Sequence, residues 1–321
     1  MLTEKEIRKQ IAVGTVQWLS ISYYRGLSED FIREFHKHMD WDGVSIFSTL
    51  SEGFIREFCD KVNWNYISIY QNLSEDFIKE FRNKVRWCYI FRYQILSEDF
   101  IRMGQDQSAW NIISKYQKLS EDFIREFQDK VNWSEISWYQ KLSEDFIREF
   151  QNKVSWNEVS CCQKLSEDFI REFKNKVSWF YISRCQKLSA EFIREFNLKI
   201  PENNWLYKSA EWKENYIRNN TNYEIIDGEV IAYKSTRSDG YSAFNFQYHY
   251  EIGRKCESHA NYNSDEPDSF GLSAWTRERA LEYYDRGKLF KVGIKLEDIA
   301  CVVHGGCKIR ASKLRIIEEV K

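Results

Sequence analysis

The stretch LSEDFIREFQNKVSWNEVSCCQK, residues 142–164, is one copy of a unit that returns every 23 residues. Its first nine residues recur unchanged from Leu27, Leu119 and Leu165, and with small changes from Leu50, Leu73, Leu96 and Leu188. Trp18, Trp41, Trp64, Trp87, Trp110, Trp133, Trp156 and Trp179 keep the same spacing. A fixed period of this length is the signature of a repeat architecture, in which each unit packs mainly on its neighbours.

Within the unit, Leu142, Phe146, Ile147, Phe150 and Val154 fall at the three-and-four spacing of one helical face, which predicts a helix of about three turns. Ser143 occupies the N-cap position, and Glu144 and Asp145 lie in the first turn, where the helix dipole favours negative charge. Leu142 and Ile147 are spaced as a hydrophobic staple, and Glu144–Arg148 and Glu149–Lys153 as ion pairs four residues apart. A second start follows at Ser155, before Trp156; the same cap slot holds Asp40, Asn63, Asn132 and Ser178 in sister copies. The second helix should run about two turns, with an aromatic such as Tyr70, Tyr93, Tyr116 or Tyr139 near its end.

Such a pair of helices buries too little apolar surface to offset its own ordering entropy, so copies must stack. The fold class expected is mainly α: an α-solenoid of about eight two-helix repeats over 1–200, then a capping helix and linker over 201–222. The fourth copy is degenerate, with Met103, Gly104, Gln107 and Ser108 where its sisters carry Glu, Phe, Lys and Val. Cys162 and Cys185 share one slot of adjacent copies, which puts their backbones ~10 Å apart, too far for a relaxed disulfide.

Periodicity stops at Pro201, and NNWLYKSAEWKENYIRNN reads as an amphipathic helix closing the end of the stack. Residues 223–321 read as a small α+β domain. EVIAYKS (229–235), FNFQYHYEI (244–252), LFKVGIK (289–295), IACVVH (299–304) and CKIRASKLRII (307–317) have strand character. TRERALEYY (276–284) reads as a helix capped by Thr276, and Gly305-Gly306 as a two-residue hairpin turn.

Copies within one chain separate fixed positions from free ones. The slots one, two and five residues after each Trp vary widely and are partly aromatic or basic, as on a surface that meets a protein partner. Tyr23, Tyr66, Tyr89, Arg92, Lys115, Trp138, Tyr181 and Arg184 are the candidate partner-binding residues. Relaxed selection on a solvent-facing ridge is the bland alternative. The invariant tryptophans, Trp133 among them, read instead as core.

Composition narrows the function classes. Forty-seven basic and 49 acidic residues are interleaved, giving a net charge of -2 and no indication of a nucleic-acid surface. No apolar run approaches the ~18 residues of a membrane span, and MLTEKEIRKQ has no signal-peptide character. Eight irregularly spaced cysteines fit a reducing compartment. A soluble intracellular chain without membrane contact is expected. No cofactor or metal is expected either. Cys256 with His259, and Cys301 with His304 and Cys307, have short zinc-like spacings, but Cys301 and His304 should face opposite sides of a strand.

On these residues the repeat, LSEDFIREF followed by KV.W..IS.YQ, resembles repeat proteins encoded by giant DNA viruses of the mimivirus kind. AYKSTR (232–237), FNFQYHYEIG, SFGLSAWT (269–276), ALEYY and LFKVGI resemble a small domain found in viral and phage proteins. The resemblance implies a viral protein acting in an infected host cell, in its cytoplasm, and carries no activity to any residue. The order of a Tyr-Lys-x-Thr-Arg strand, a Gly-Leu-Ser-Ala-Trp strand and an Ala-x-x-Tyr helix also resembles ADP-ribosyltransferase-like folds, in which a basic residue and a Ser or Thr hold a nicotinamide dinucleotide. No Glu stands in a late strand motif as that chemistry would need. The leading expectation is therefore a non-enzymatic scaffold for an unidentified protein partner. The alternative is an effector enzyme with an ADP-ribosyltransferase-like or metal-binding C-terminal domain that the solenoid targets.

Overall fold

Each repeat opens where a serine oxygen meets an unpaired helical N–H: Ser143 Oγ accepts from the Phe146 N–H at 3.1 Å, and Ser28, Ser51, Ser74, Ser120, Ser166 and Ser189 cap their helices the same way. The computed structural model, which describes residues 3–24, 26–103, 109–242, 248–283 and 287–320, shows a regular series of helices with a 23-residue period, followed by an antiparallel sheet. The chain divides into two compact units, Met1–Ile113 and Ser114–Lys321, a boundary that falls inside the repeats rather than after them. Gly104, Gln107 and Ser108 of the degenerate copy lie outside the described residues.

The first helix of a repeat is shorter than the expected three turns. Glu144–Glu149 and its sisters run six or seven residues, because the chain leaves the α conformation at Phe150 (φ -105°, ψ 28°). Lys153 N–H and Val154 N–H then both bond to the Phe150 carbonyl, at 2.8 and 3.0 Å, closing a tight turn through Asn152. Asp60, Asn83 and Asp129 stand at the same place, residues that favour turns over helix interiors. The second helix, Trp156–Cys162 and its equivalents, is two turns as expected. Its caps are less uniform: Asp40, Asn63 and Asn132 bond the helix N-terminus through their side chains, whereas Ser155 and Ser178 do not, and Ser155 Oγ turns to Glu158 instead.

The expected Glu144–Arg148 pair forms, with counterparts in the sister copies, but its members bond more closely to the next repeat. Glu144 and Arg148 stand 3.7 Å apart, but Arg148 Nε is 2.8 Å from Glu172, and Glu144 Oε1 accepts from the Ser166 N–H at 2.6 Å. Glu149 goes to Arg125 of the preceding repeat and Lys153 to Gln128 and Asp129, so the Glu149–Lys153 pair does not form. Side chains long enough to span a repeat are better used across it, since a surface pair inside one short helix contributes little.

Between repeats runs a buried polar spine. Gln140, 3% exposed, accepts from the Leu119 N–H at 3.1 Å and donates to the Ser114 and Gln117 carbonyls, both at 2.8 Å. Gln163 and Gln186 repeat the pattern one and two units on, and Gln71 and Gln94 show it in the first unit. Ser137 Oγ donates to the Trp133 carbonyl and accepts from the Ser155 N–H of the next repeat. Trp133 is wedged between Phe146 and Phe150, at centroid distances of 6.2 and 4.9 Å, and is half-buried rather than fully enclosed.

The stack ends differently from expectation. Helix Ala210–Asn220 turns Ile217 and Tyr216 into the sheet's core, and its Lys213 donates to the Ile299 carbonyl at 2.7 Å. What meets the last repeat is the 3-10 turn Trp205–Tyr207 and the residue before it. Asn204 Nδ2 donates to the Ser183 and Arg184 carbonyls, while Tyr207 OH accepts from Leu188 N–H and donates to Gln186 O, standing in for the next glutamine of the spine.

Among the described residues the C-terminal sheet has eight strands: β1 Glu224–Ile226, β2 Glu229–Ser235, β3 Lys255–Glu257, β4 Leu272–Trp275, β5 Leu289–Lys295, β6 Ile299–Val303, β7 Lys308–Ala311 and β8 Lys313–Val320. They are ordered β3-β8-β5-β2-β4-β7-β6, with β1 paired to β2, and every pairing is antiparallel. Helix Arg277–Tyr283 follows β4. Two sequence expectations are corrected. Of FNFQYHYEI, residues 244–247 lie outside the described residues; 248–252 form no strand, Tyr250 is instead a buried anchor, and a single bridge among the described residues joins Tyr241 to His249. The β6–β7 turn takes four residues, His304–Cys307, with His304, Gly305 and Gly306 all at positive φ (51°, 62° and 89°). A turn with three successive left-handed residues cannot be the two-residue hairpin expected.

Candidate partner-binding ridge and a cleft in the sheet domain

The variable slots of the second helices range from exposed, as at Tyr23, Arg92 and Trp138, to buried, as at Gly43 and Cys161. In the first unit, Tyr23 is 45% exposed and packs on Phe47 at 5.3 Å, Tyr66 and Tyr89 lie half-buried beside Tyr70 and Tyr93, and the exposed Arg92 sets its guanidinium 5.2 Å from the Tyr93 ring. In the second, Lys115 Nζ lies 4.9 Å from the Tyr139 ring, Trp138 beside it is 40% exposed, and Arg184 sits 3.6 Å over the exposed Phe180 ring. Each such contact of a cation with an aromatic face is worth about 0.5–1 kcal/mol at an exposed site.

The eight candidate residues therefore fall four to a unit: Tyr23, Tyr66, Tyr89 and Arg92 in one, Lys115, Trp138, Tyr181 and Arg184 in the other. The ridge is interrupted at the sixth repeat. Cys161 holds the slot of Trp138 but is 4% exposed. Tyr181 is half-buried, and burial first, then Cys161 and Glu266, push its hydroxyl pKa up. His259 comes from the same loop as Glu266, and burial drives its pKa down to about 4, opposed by a contact with the Cys161 backbone. The loop 259–266 of the sheet domain thus lies against the second helices here. Nothing in the loop's own composition announces that contact.

A second feature is a cleft of about 470 Å³ lined by Trp275, Arg279, Glu282, His304 and Cys307. The β6–β7 turn carries two of these side chains and is pinned through the Cys307 carbonyl, which accepts from Thr276 N–H at 3.0 Å and Tyr223 OH at 2.6 Å. His304 Nε2 lies 2.8 Å from Asp268, whose carboxyl is held below its usual range by His304 first and Lys308 next. Arg279 pairs with Glu282 at 2.6 Å, and its pKa is raised by Glu282 first and then by Cys307. Among the described residues no hydrogen bond joins His304 to the Cys307 thiol, so the imidazole and the thiol are not assembled as base and nucleophile.

The zinc-like spacings do not converge. Cys301 is fully buried and its thiol points to the Asn261 carbonyl, Cys256 points to the His249 carbonyl, and His304 turns to Asp268. Among the described residues no three His, Cys, Asp or Glu side chains are grouped to hold a metal ion. Nor, among those residues, is any helix long and apolar enough to cross a membrane. The polar residues of AYKSTR are already engaged: Lys234 lies 5.4 Å from the Tyr250 ring, Thr236 Oγ1 donates to the Arg237 carbonyl, and Arg237 pairs with Asp239 at 3.0 Å. The chain matches no family model, no curated protein and no solved structure.

Proposed function

We propose that this chain is a non-enzymatic scaffold, an α-solenoid whose second-helix ridge grips a protein partner while the C-terminal sheet domain is carried at its end. The observation that supports it best is the indole of Trp138, 40% exposed at a slot where Lys115 and Arg184 are partly exposed. Large aromatics left on a ridge at regular spacing bury much area at low entropic cost when a partner arrives. The likeness of the repeat to those of giant DNA viruses makes an infected cell's cytoplasm the setting in which to look. Proximity labelling or cross-linking there, with wild type and Trp138→Ala side by side, tests the reading. A partner enriched with wild type and lost with the variant supports it; identical partner sets overturn it.

The alternative of an effector enzyme draws its support from the cleft at Trp275 and His304. Calorimetric titration of the full chain with a nicotinamide dinucleotide tests it, and heat absent at millimolar ligand removes that substrate class.

A further inference from the structure

Two thiols meet inside the second unit at a place the repeat register alone does not suggest. Cys161 and Cys185 are 24 residues apart, one more than the period, and their sulfurs stand 3.9 Å from each other. Both are buried, at 4% and 1% exposure, on the second helices of adjacent repeats, Trp156–Cys162 and Trp179–Cys185. The equivalent-slot pair, Cys162 and Cys185, is not the one in contact. A bond between the neighbouring thiols would tie the sixth repeat to the seventh, beside the loop that bears His259 and Glu266.

We propose that Cys161 and Cys185 are a disulfide-forming pair, a modification site closed by a peroxide-class oxidant. To bond, the sulfurs must approach from 3.9 Å to about 2 Å. One thiolate attacks a peroxide oxygen, the O–O bond breaks, and the leaving oxygen departs as water after taking a proton. The sulfenic acid left behind is attacked by the second thiolate; the S–S bond forms, the S–O bond breaks and a second water leaves. Two thiols and one hydrogen peroxide give one disulfide and two waters. The Cys162 contact, then burial, against the pull of Cys185, push the Cys161 thiol up, and the Cys161 contact and burial push Cys185 up, so closure is slow at neutral pH and quickens in alkali.

The full chain is treated with hydrogen peroxide, denatured, alkylated and digested. The expected result is the loss of two alkylatable thiols from the eight present and a cross-linked peptide pair joining Cys161 to Cys185. The oxidised protein should melt about 5–10 °C higher than the reduced form. Cys162→Ser should keep the cross-link, whereas Cys161→Ala and Cys185→Ala should each abolish it. Eight alkylatable thiols after treatment, or a cross-link through Cys162, overturns the proposal. The peptide map is read on the wild-type chain, so the test remains decisive even if a variant folds poorly.

Discussion

Replacing Gln140 by leucine removes one rung of the polar spine while keeping the side chain's bulk. The Leu119 N–H then loses its acceptor, and the Ser114 and Gln117 carbonyls lose donors at 2.8 Å, all in a site where the glutamine is 3% exposed. A buried N–H left without a partner costs about 1–3 kcal/mol, and each lost bond to a carbonyl about 1 kcal/mol. Burying the leucine offsets about 1 kcal/mol of this, leaving a net loss of about 2–4 kcal/mol. In urea, with a slope of about 2 kcal/mol per molar, the midpoint should fall by about 1–2 M. Gln140→Glu discriminates polarity from packing. It preserves an acceptor for Leu119 but sets a carboxylate against two carbonyl oxygens, so it should be the more damaging at neutral pH and recover partly in acid, where a protonated carboxyl can donate again. Equilibrium denaturation of wild type and both variants checks this. A leucine variant within about 0.5 kcal/mol of wild type, or a glutamate variant no worse at neutral pH than in acid, refutes the reasoning.

The two tryptophans of one helix should part company. Trp133→Ala removes an indole packed on Phe146 and Phe150 and bonded to the Gln128 carbonyl, and should lower stability by about 3 kcal/mol, whereas Trp138→Ala should move the melting temperature by no more than a few degrees; equal losses would make Trp138 core and dissolve the ridge. His259, with its folded pKa driven down to about 4 by burial, is neutral in both states above its unfolded value near 6.5. As pH falls from there the unfolded chain takes up the proton first, so stability should drop between about pH 6.5 and 4 and level off below; His259→Gln should flatten that part of a melting-temperature profile. At Gly287 an added methyl would overlap the Thr236 carbonyl, so Gly287→Ala should destabilise the protein by several kcal/mol or prevent folding of the sheet, read by near-ultraviolet circular dichroism.

The period, the helix starts and four of the strands were legible because they are local. A serine cap, a staple and alternating apolar residues act within a few positions, and β2 and β5 begin and end where their residue patterns do. CKIRASKLRII reads as one strand because nothing in its side chains shows the break at Ser312, where the N–H leaves the ladder for the Asp298 carbonyl and the chain passes from β7 to β8. The same limit applies to the charges. Arg148 has an acid four residues before it and another 24 residues after it, and spacing on one helix favours the first, but packing brings the second to 2.8 Å.

The spine shows what repetition adds to such a reading. A buried glutamine in a single sequence is ambiguous; one that recurs at Gln71, Gln94, Gln117, Gln140, Gln163 and Gln186 marks a demand that every copy shares. The departures then become informative. Ser48 stands in the glutamine slot of an early repeat, too short to reach the Leu27 N–H, and its own hydroxyl is buried without a partner. Nearby, Gly43 lets the Ser22 carbonyl approach so closely that a Cβ would sit 2.7 Å from it. These two changes belong together. A glutamine at position 48 would aim its amide at the Ser22 carbonyl, and beside that carbonyl a residue with a Cβ would clash where Gly43 does not. At the ridge, for the same reason, exposure is easier to read than its interruption. Variation among copies at the slot five after each Trp marks it as free of the repeat's packing, but it cannot tell a residue that meets solvent, such as Trp138, from one that meets the rest of the chain, such as Cys161. That distinction is set by the loop 259–266, about a hundred residues downstream, where no repeat exists to compare.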